Sequence, residues 1–144
     1  MGDLERLVVS GGMISDIPYL HLEALLELPH LTELELHEFG AADLAPLPQM
    51  HQLRDFSLRY ADRVQNIDAI GSMYFLDALC LDGLSVESLD FLDRLPDALC
   101  IELCGIHVSG GVSVRNWKRF AQRDICEIST GDCRFDYIDL SELD

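Results

Sequence analysis

One spacing recurs along this chain. An apolar residue is followed by another three positions on and a third two beyond that. It reads Leu4-x-x-Leu7-x-Val9, Leu31-x-x-Leu34-x-Leu36, Leu53-x-x-Phe56-x-Leu58, Leu76-x-x-Leu79-x-Leu81 and Ala98-x-x-Ile101-x-Leu103. The last members are 27, 22, 23 and 22 residues apart. Self-similarity at a fixed period of this size marks a solenoid, in which each unit buries its apolar face only against its neighbours. Such an architecture favours presenting a broad surface to another macromolecule.

The rest of each unit agrees. Eight or nine residues past the last strand position stands an apolar pair spaced by three: Ile17/Leu20, Leu44/Leu47, Ile67/Ile70 and Leu89/Leu92. Three residues before the next strand pattern comes one more large apolar residue, Leu28, Met50, Met73 or Leu95. Period two predicts a strand, and spacing of three predicts a short helical or 3₁₀ return. Pro29, Pro46, Pro48 and Pro96 fall in the returns or at their exits, where a missing N–H breaks no strand pairing. In the longer first unit, His21 to Leu28 reads as a true amphipathic helix of about two turns.

From Leu4 to Cys104 the pattern resembles the leucine-rich repeat family in its short-repeat, LxxLxLxx form. The resemblance implies an α/β right-handed solenoid, with a parallel β-sheet on the concave side and short 3₁₀ or α returns on the convex side. It divides the chain into about five repeats over 1–104 and a C-terminal cap over 105–144. The family commonly places Asn, Cys or Thr three residues after the last strand leucine. Here those positions hold Gly12, Phe39, Ala61, Leu84 and Ile106, so the turn backbone must find partners in water or in the next turn.

The two ends depart from the repeat. Only Met1, Gly2 and Asp3 precede Leu4, too few to cover Leu7, Val9 and Ile17. The expectation is that further upstream repeats or a self-partner cover the N-terminal edge. After Cys104, Trp117 and Phe120 are spaced to fold over the last unit as a helical cap. Ile125 to Ile128 and the alternation Phe135–Leu140 each suggest a further strand.

Strand geometry places the functional surface. Residues between the repeat positions point away from the core, in columns about 4.8 Å from strand to strand. One column runs Val8, Glu35, Ser57, Cys80, Glu102. Its neighbours run Arg6, Glu33, Asp55, Ala78, Cys100 and Ser10, His37, Arg59, Asp82, Cys104, with Glu38 and Tyr60 just beyond. The expected partner-binding residues are Glu33, Glu35, His37, Asp55, Arg59, Tyr60, Asp82 and Glu102. Arg59 and Tyr60 are the expected anchors, because those residue types combine contact area with directional hydrogen bonding.

Charge narrows the partner. With 26 acidic against 10 basic side chains, the net charge of −16 repels a phosphate backbone and an anionic membrane surface. A protein with a basic surface is the expected partner. No secretory pattern opens the chain and no apolar run reaches membrane-spanning length. The odd set Cys80, Cys100, Cys104, Cys126 and Cys133, irregularly spaced, points to a reducing, cytoplasmic compartment.

Chemistry finds little footing. Cys80, Cys100 and Cys104 share a face with His107 nearby, but no C-x-x-C spacing is present, and Cys100 and Cys104 lie about 13 Å apart along one strand. Glu33, Glu35 and Glu38 lack a pocket to separate their acidities. Ser109-Gly110-Gly111 lacks the strand and lysine of a phosphate loop. The expectation is therefore a non-enzyme without metal or cofactor. Turns such as Asp43-Leu44-Ala45-Pro46-Leu47 look similar to repeats that follow NACHT/STAND-type ATPase cores in bacterial defence proteins. That resemblance implies the C-terminal sensor portion of a larger protein. The alternative is a free-standing acidic immunity protein that masks a basic toxin or nuclease.

Overall fold

The apolar alternation folds as strands where the repeated leucines lie. A computed structural model of the chain describes residues 3–11, 21–38, 42–61, 64–96 and 99–109, with the backbone of 112–113, 134–135 and 138–139. Five strands, β1 (Arg6–Ser10), β2 (Glu33–His37), β4 (Asp55–Arg59), β6 (Ala78–Asp82) and β8 (Cys100–Cys104), form one parallel sheet in the order β1-β2-β4-β6-β8. Short two-residue strands lie between them: β3 (Ala42–Asp43), β5 (Val64–Gln65), β7 (Ser85–Val86) and β9 (His107–Val108). Further along are β10 (Val112–Ser113), β11 (Arg134–Phe135) and β12 (Ile138–Asp139). With few, short helical segments, the fold is of the α/β class.

Register follows the repeat. Leu7, Leu34, Phe56, Leu79 and Ile101 lie side by side, as do Val9, Leu36, Leu58, Leu81 and Leu103. From β2 to β8 every member of both rows is buried. A one-residue slip would turn each row to solvent, so burial itself fixes the pairing. On the edge strand β1, Leu7 and Val9 are only half-buried and Val8 is 49% exposed.

The returns are 3₁₀ helices at Leu22–Glu27, Leu47–Gln49, Ile67–Ser72 and Asp90–Arg94. Their apolar residues recur every third position, and an i→i+3 helix with three residues per turn keeps such residues on one side. The bonding carries on past each helix. Leu28 N–H donates to Leu25 O and Leu31 N–H to Leu28 O; Met50 donates to Leu47 and Leu53 to Met50; Met73 donates to Ile70 and Leu76 to Met73. This explains the first return, where the amphipathic segment forms a six-residue 3₁₀ helix. Leu22 is buried, Leu25 and Leu28 are half-buried at the same spacing, and Leu26 is turned outward. Pro46 and Pro48 sit at the start of and inside the second return.

Hydrogen bonds between units serve the turns that follow the strands. Ala61, Leu84 and Ile106 are buried apolar residues that carry no polar group into the turn. The turn N–H groups donate sideways instead: Gly11 to His37 O, Glu38 to Arg59 O, Tyr60 to Asp82 O and Gly83 to Cys104 O, at 2.8–2.9 Å. A polar row does appear one step later. Asp43 Oδ1 accepts from Ala45 N–H at 2.9 Å and from Asn66 Nδ2 at 2.7 Å, and Ser88 Oγ accepts from Asp90 N–H at 3.0 Å. These side chains bond the backbone two residues on, the local pattern that opens a turn. At the strand entries, Arg54 Nη1 donates to His51 O at 2.8 Å, Leu53 O at 3.0 Å and Phe75 O at 3.4 Å, tying one turn to the next.

Parallel pairing extends toward the C-terminus. β11 pairs with β9, Arg134 opposite His107, and β12 pairs with β10, Ile138 opposite Val112. The expected Trp117/Phe120 cap and the strand at Ile125–Ile128 lie outside the described residues, as do Ile17 and Leu20, Gly12, Phe39 and Ala98. Among the described residues, no helix is long and apolar enough to cross a membrane.

Candidate interaction face

The sheet buries one side only. Along β2, β4, β6 and β8, buried repeat positions alternate with half-buried or exposed ones. The outward side chains stand in the three columns that strand periodicity predicts: Arg6, Glu33, Asp55, Ala78, Cys100; Val8, Glu35, Ser57, Cys80, Glu102; and Ser10, His37, Arg59, Asp82, Cys104. All eight sequence candidates therefore lie on this face or at its strand ends.

Electrostatics divides the face. Glu35 is a hub: His37 Nε2 lies 2.5 Å from its Oε1, Arg59 Nε lies 3.6 Å from the same oxygen, and Arg6 Nη2 lies 3.7 Å from Oε2. The hydrogen bond from His37 comes first, and the charges of His37, Arg59 and Arg6 add to it. Together they hold the Glu35 carboxyl below the usual carboxylate range, against burial that pushes it up. Arg59 also reaches Asp82 Oδ2 at 4.0 Å. Its Nε is shielded from water and makes no hydrogen bond, so Arg59 is held there by charge rather than by directional bonding. Glu35 and Asp82 are well covered, their side chains 23% and 15% exposed.

The strand-entry end is balanced differently. Arg6 Nε pairs with Glu33 at 3.3 Å. Partial burial, then the like charges of Glu33 and Asp77, push the Asp55 carboxyl above its ordinary value. Between these groups lies a shallow depression of about 200 Å³, lined by Arg6, Leu7, Glu33, Leu34, Glu35, Asp55 and Ser57. Glu102 stands exposed toward the other edge.

Tyr60 stands at the exit of β4 and differs in kind. Its backbone is left-handed, φ 54°, as are Glu38 at φ 54°, Gly83 at φ 64° and Gly105 at φ 59° at the equivalent turn positions. The ring rests on Gly83, where an added Cβ would fall 2.7 Å from Tyr60 Cε1. Tyr60 nonetheless remains 55% exposed.

Burial pushes the Cys80 thiol up, against the Arg59 charge, so the reactive thiolate is disfavoured. Cys80, Cys100 and Cys104 form no disulfide among the described residues, and no group of three metal-ligating side chains gathers there. What the face offers is fixed charge and, at its edge, the exposed ring of Tyr60.

Sequence reasoning singled out neither Arg6 nor Gly83. The signal for Arg6 was its place in the Glu33 column. The signal for Gly83 was a glycine at the turn position that holds Tyr60 one unit earlier. No family model, no curated protein and no solved structure matches the chain.

Proposed function

We propose that this chain is a leucine-rich-repeat-type solenoid that serves as a non-catalytic protein-recognition module, receiving a partner with a basic surface on the open face of its sheet. The observation that carries the reading is an all-parallel sheet with only one covered side. Parallel sheets are ordinarily buried on both faces by their crossover helices. Here the crossovers return over one side, and the other leaves polar columns in fixed register. In the solenoid reading, that side is the concave one, the returns form the convex side, and the strands near the C-terminus belong to a cap.

Charge supports the partner class. Five carboxylates on the face, Glu33, Glu35, Asp55, Asp82 and Glu102, outnumber Arg6 and Arg59. A basic patch would meet them at favourable encounter rates. The reading places the protein in the cytoplasm, as its odd, irregular cysteine set suggests. It also favours the sensor part of a larger NACHT/STAND-type defence protein, in line with the Asp43–Leu47 turn pattern.

The test compares two charge reversals of the full chain. One changes Glu33, Asp55 and Glu102 to Lys; the other changes Glu23, Asp68 and Asp90, on the returns, to Lys. Cross-linking in the native host is expected to join a basic protein to the wild type and the return variant and to miss the face variant. Retention by the face variant would overturn the reading, as would reproducible turnover in a hydrolase screen. An acidic immunity protein would show itself if the captured partner were a toxin or nuclease whose activity the chain blocks.

A further inference from the structure

Resting on that docking face, we propose that Tyr60 is its anchor for a cationic side chain, Arg or Lys, of the partner, and that Gly83 holds the ring ready. Three independent features of the turn row lead there.

The first is backbone strain. At the equivalent position, β6 and β8 are followed by glycine, for which a left-handed φ costs no Cβ clash. β2 and β4 are followed instead by Glu38 and Tyr60 in the same conformation, at a cost of roughly 1–2 kcal/mol each. A bulky residue kept where glycine fits better marks a position at which the side chain itself is wanted.

The second is preorganisation. The Tyr60 backbone is tied down by its N–H bond to Asp82 O at 2.8 Å. The ring occupies the space a side chain on Gly83 would fill. A ring seated against the Gly83 backbone has less rotamer freedom to lose on binding, and at 55% exposure it keeps a large free surface to offer.

The third is the charge around it. Glu38 occupies the preceding turn position, and Asp82, whose backbone carbonyl accepts the Tyr60 N–H, brings a second carboxylate into the neighbouring unit. Arg59, the nearest cation in sequence, is drawn toward Glu35 and Asp82. A cation above an aromatic ring gains from the ring quadrupole, and flanking carboxylates add to that attraction. The surroundings would repel an anion and give an aliphatic side chain no comparable gain.

The experiment uses the full chain and a short blocked peptide alternating Arg and Gly, with a Glu–Gly peptide as control, by isothermal titration at low salt. The wild type is expected to bind the Arg–Gly peptide and ignore the control. Tyr60→Ala should weaken binding between about twofold and thirtyfold, the span of a cation–π contact from exposed to desolvated. Tyr60→Phe should bind as wild type, and so should Tyr74→Ala, which removes an exposed tyrosine outside the sheet. Gly83→Ala should weaken binding although Tyr60 is retained, because the ring loses its seat; if that variant fails to fold, the Ala/Phe pair at 60 still decides. Wild-type affinity in Tyr60→Ala, with loss in the Glu33/Asp55/Glu102 reversal, would overturn the anchor and leave the docking face standing. No binding by the wild type would also overturn the anchor, leaving the face to be judged by its own cross-linking test.

Discussion

Truncating a leucine in the middle of the sheet should cost far more than truncating one on the edge strand. Leu81 on β6 lies between Leu58 and Leu103, and all three are fully buried. Leu81→Ala removes three side-chain carbons. At about 0.8 kcal/mol for each, the transfer loss is about 2.4 kcal/mol. Neighbours held by strands on both sides relax poorly into the gap, and the residual cavity brings the total to about 3–4 kcal/mol. Leu7 on the edge strand β1 has one lateral partner, Leu34, and is only half-buried. Its truncation leaves an open notch rather than a sealed cavity, so about 1 kcal/mol is expected. Urea unfolding of each full-length variant, followed by far-UV circular dichroism, gives the difference from the midpoint shift at a common slope. The expected gap is roughly 2 kcal/mol or more. Equal losses at the two sites would refute the reasoning, because they would mean that flanking strands do not seal the interior row.

Three further outcomes follow from the face and turns. Glu35 has a folded-state pKa below its ordinary 4.5, so its stabilisation is present above that value and is lost as pH falls through the lower folded one. Glu35→Gln should therefore lower the melting temperature at neutral pH and flatten the acid limb of a melting-temperature profile; an unchanged limb contradicts the hub. Asp55 is displaced the other way, its folded pKa above 3.8, so its ionised form destabilises and the strain is relieved on acidification through the folded pKa. Asp55→Asn should raise the melting temperature at pH 7 and converge with wild type in acid. Asp43→Ala removes the acceptor shared by Ala45 N–H and Asn66 Nδ2 and should cost about 1 kcal/mol, read by the same urea titration.

Part of this was legible in the amino acids. Strand positions come from local periodicity, and the repeat suggests the register: Leu34, Leu36, Phe56 and Leu58 must all turn inward, which excludes a one-residue slip, and pairing each with its repeat equivalent meets that demand. The outward columns are then determined as well, since side chains on a strand alternate. The spacing of three likewise announced short returns. It did not reveal that the His21–Leu28 stretch would coil as 3₁₀, a form that brings Leu25, Leu28 and Leu31, at successive spacings of three, against the buried core.

The candidate site was legible only as a set of addresses. That Glu35 gathers Arg6, His37 and Arg59 around one carboxylate depends on rotamers reaching across three strands, which no spacing along the chain encodes. That Tyr60 sits in a left-handed turn against Gly83 depends on a missing side chain 23 residues away. Composition and periodicity determined which residues share a surface, because those follow from each strand's own geometry. Tertiary structure alone decided which of them touch, since contact is set by neighbours distant in sequence and by the space each leaves to the next.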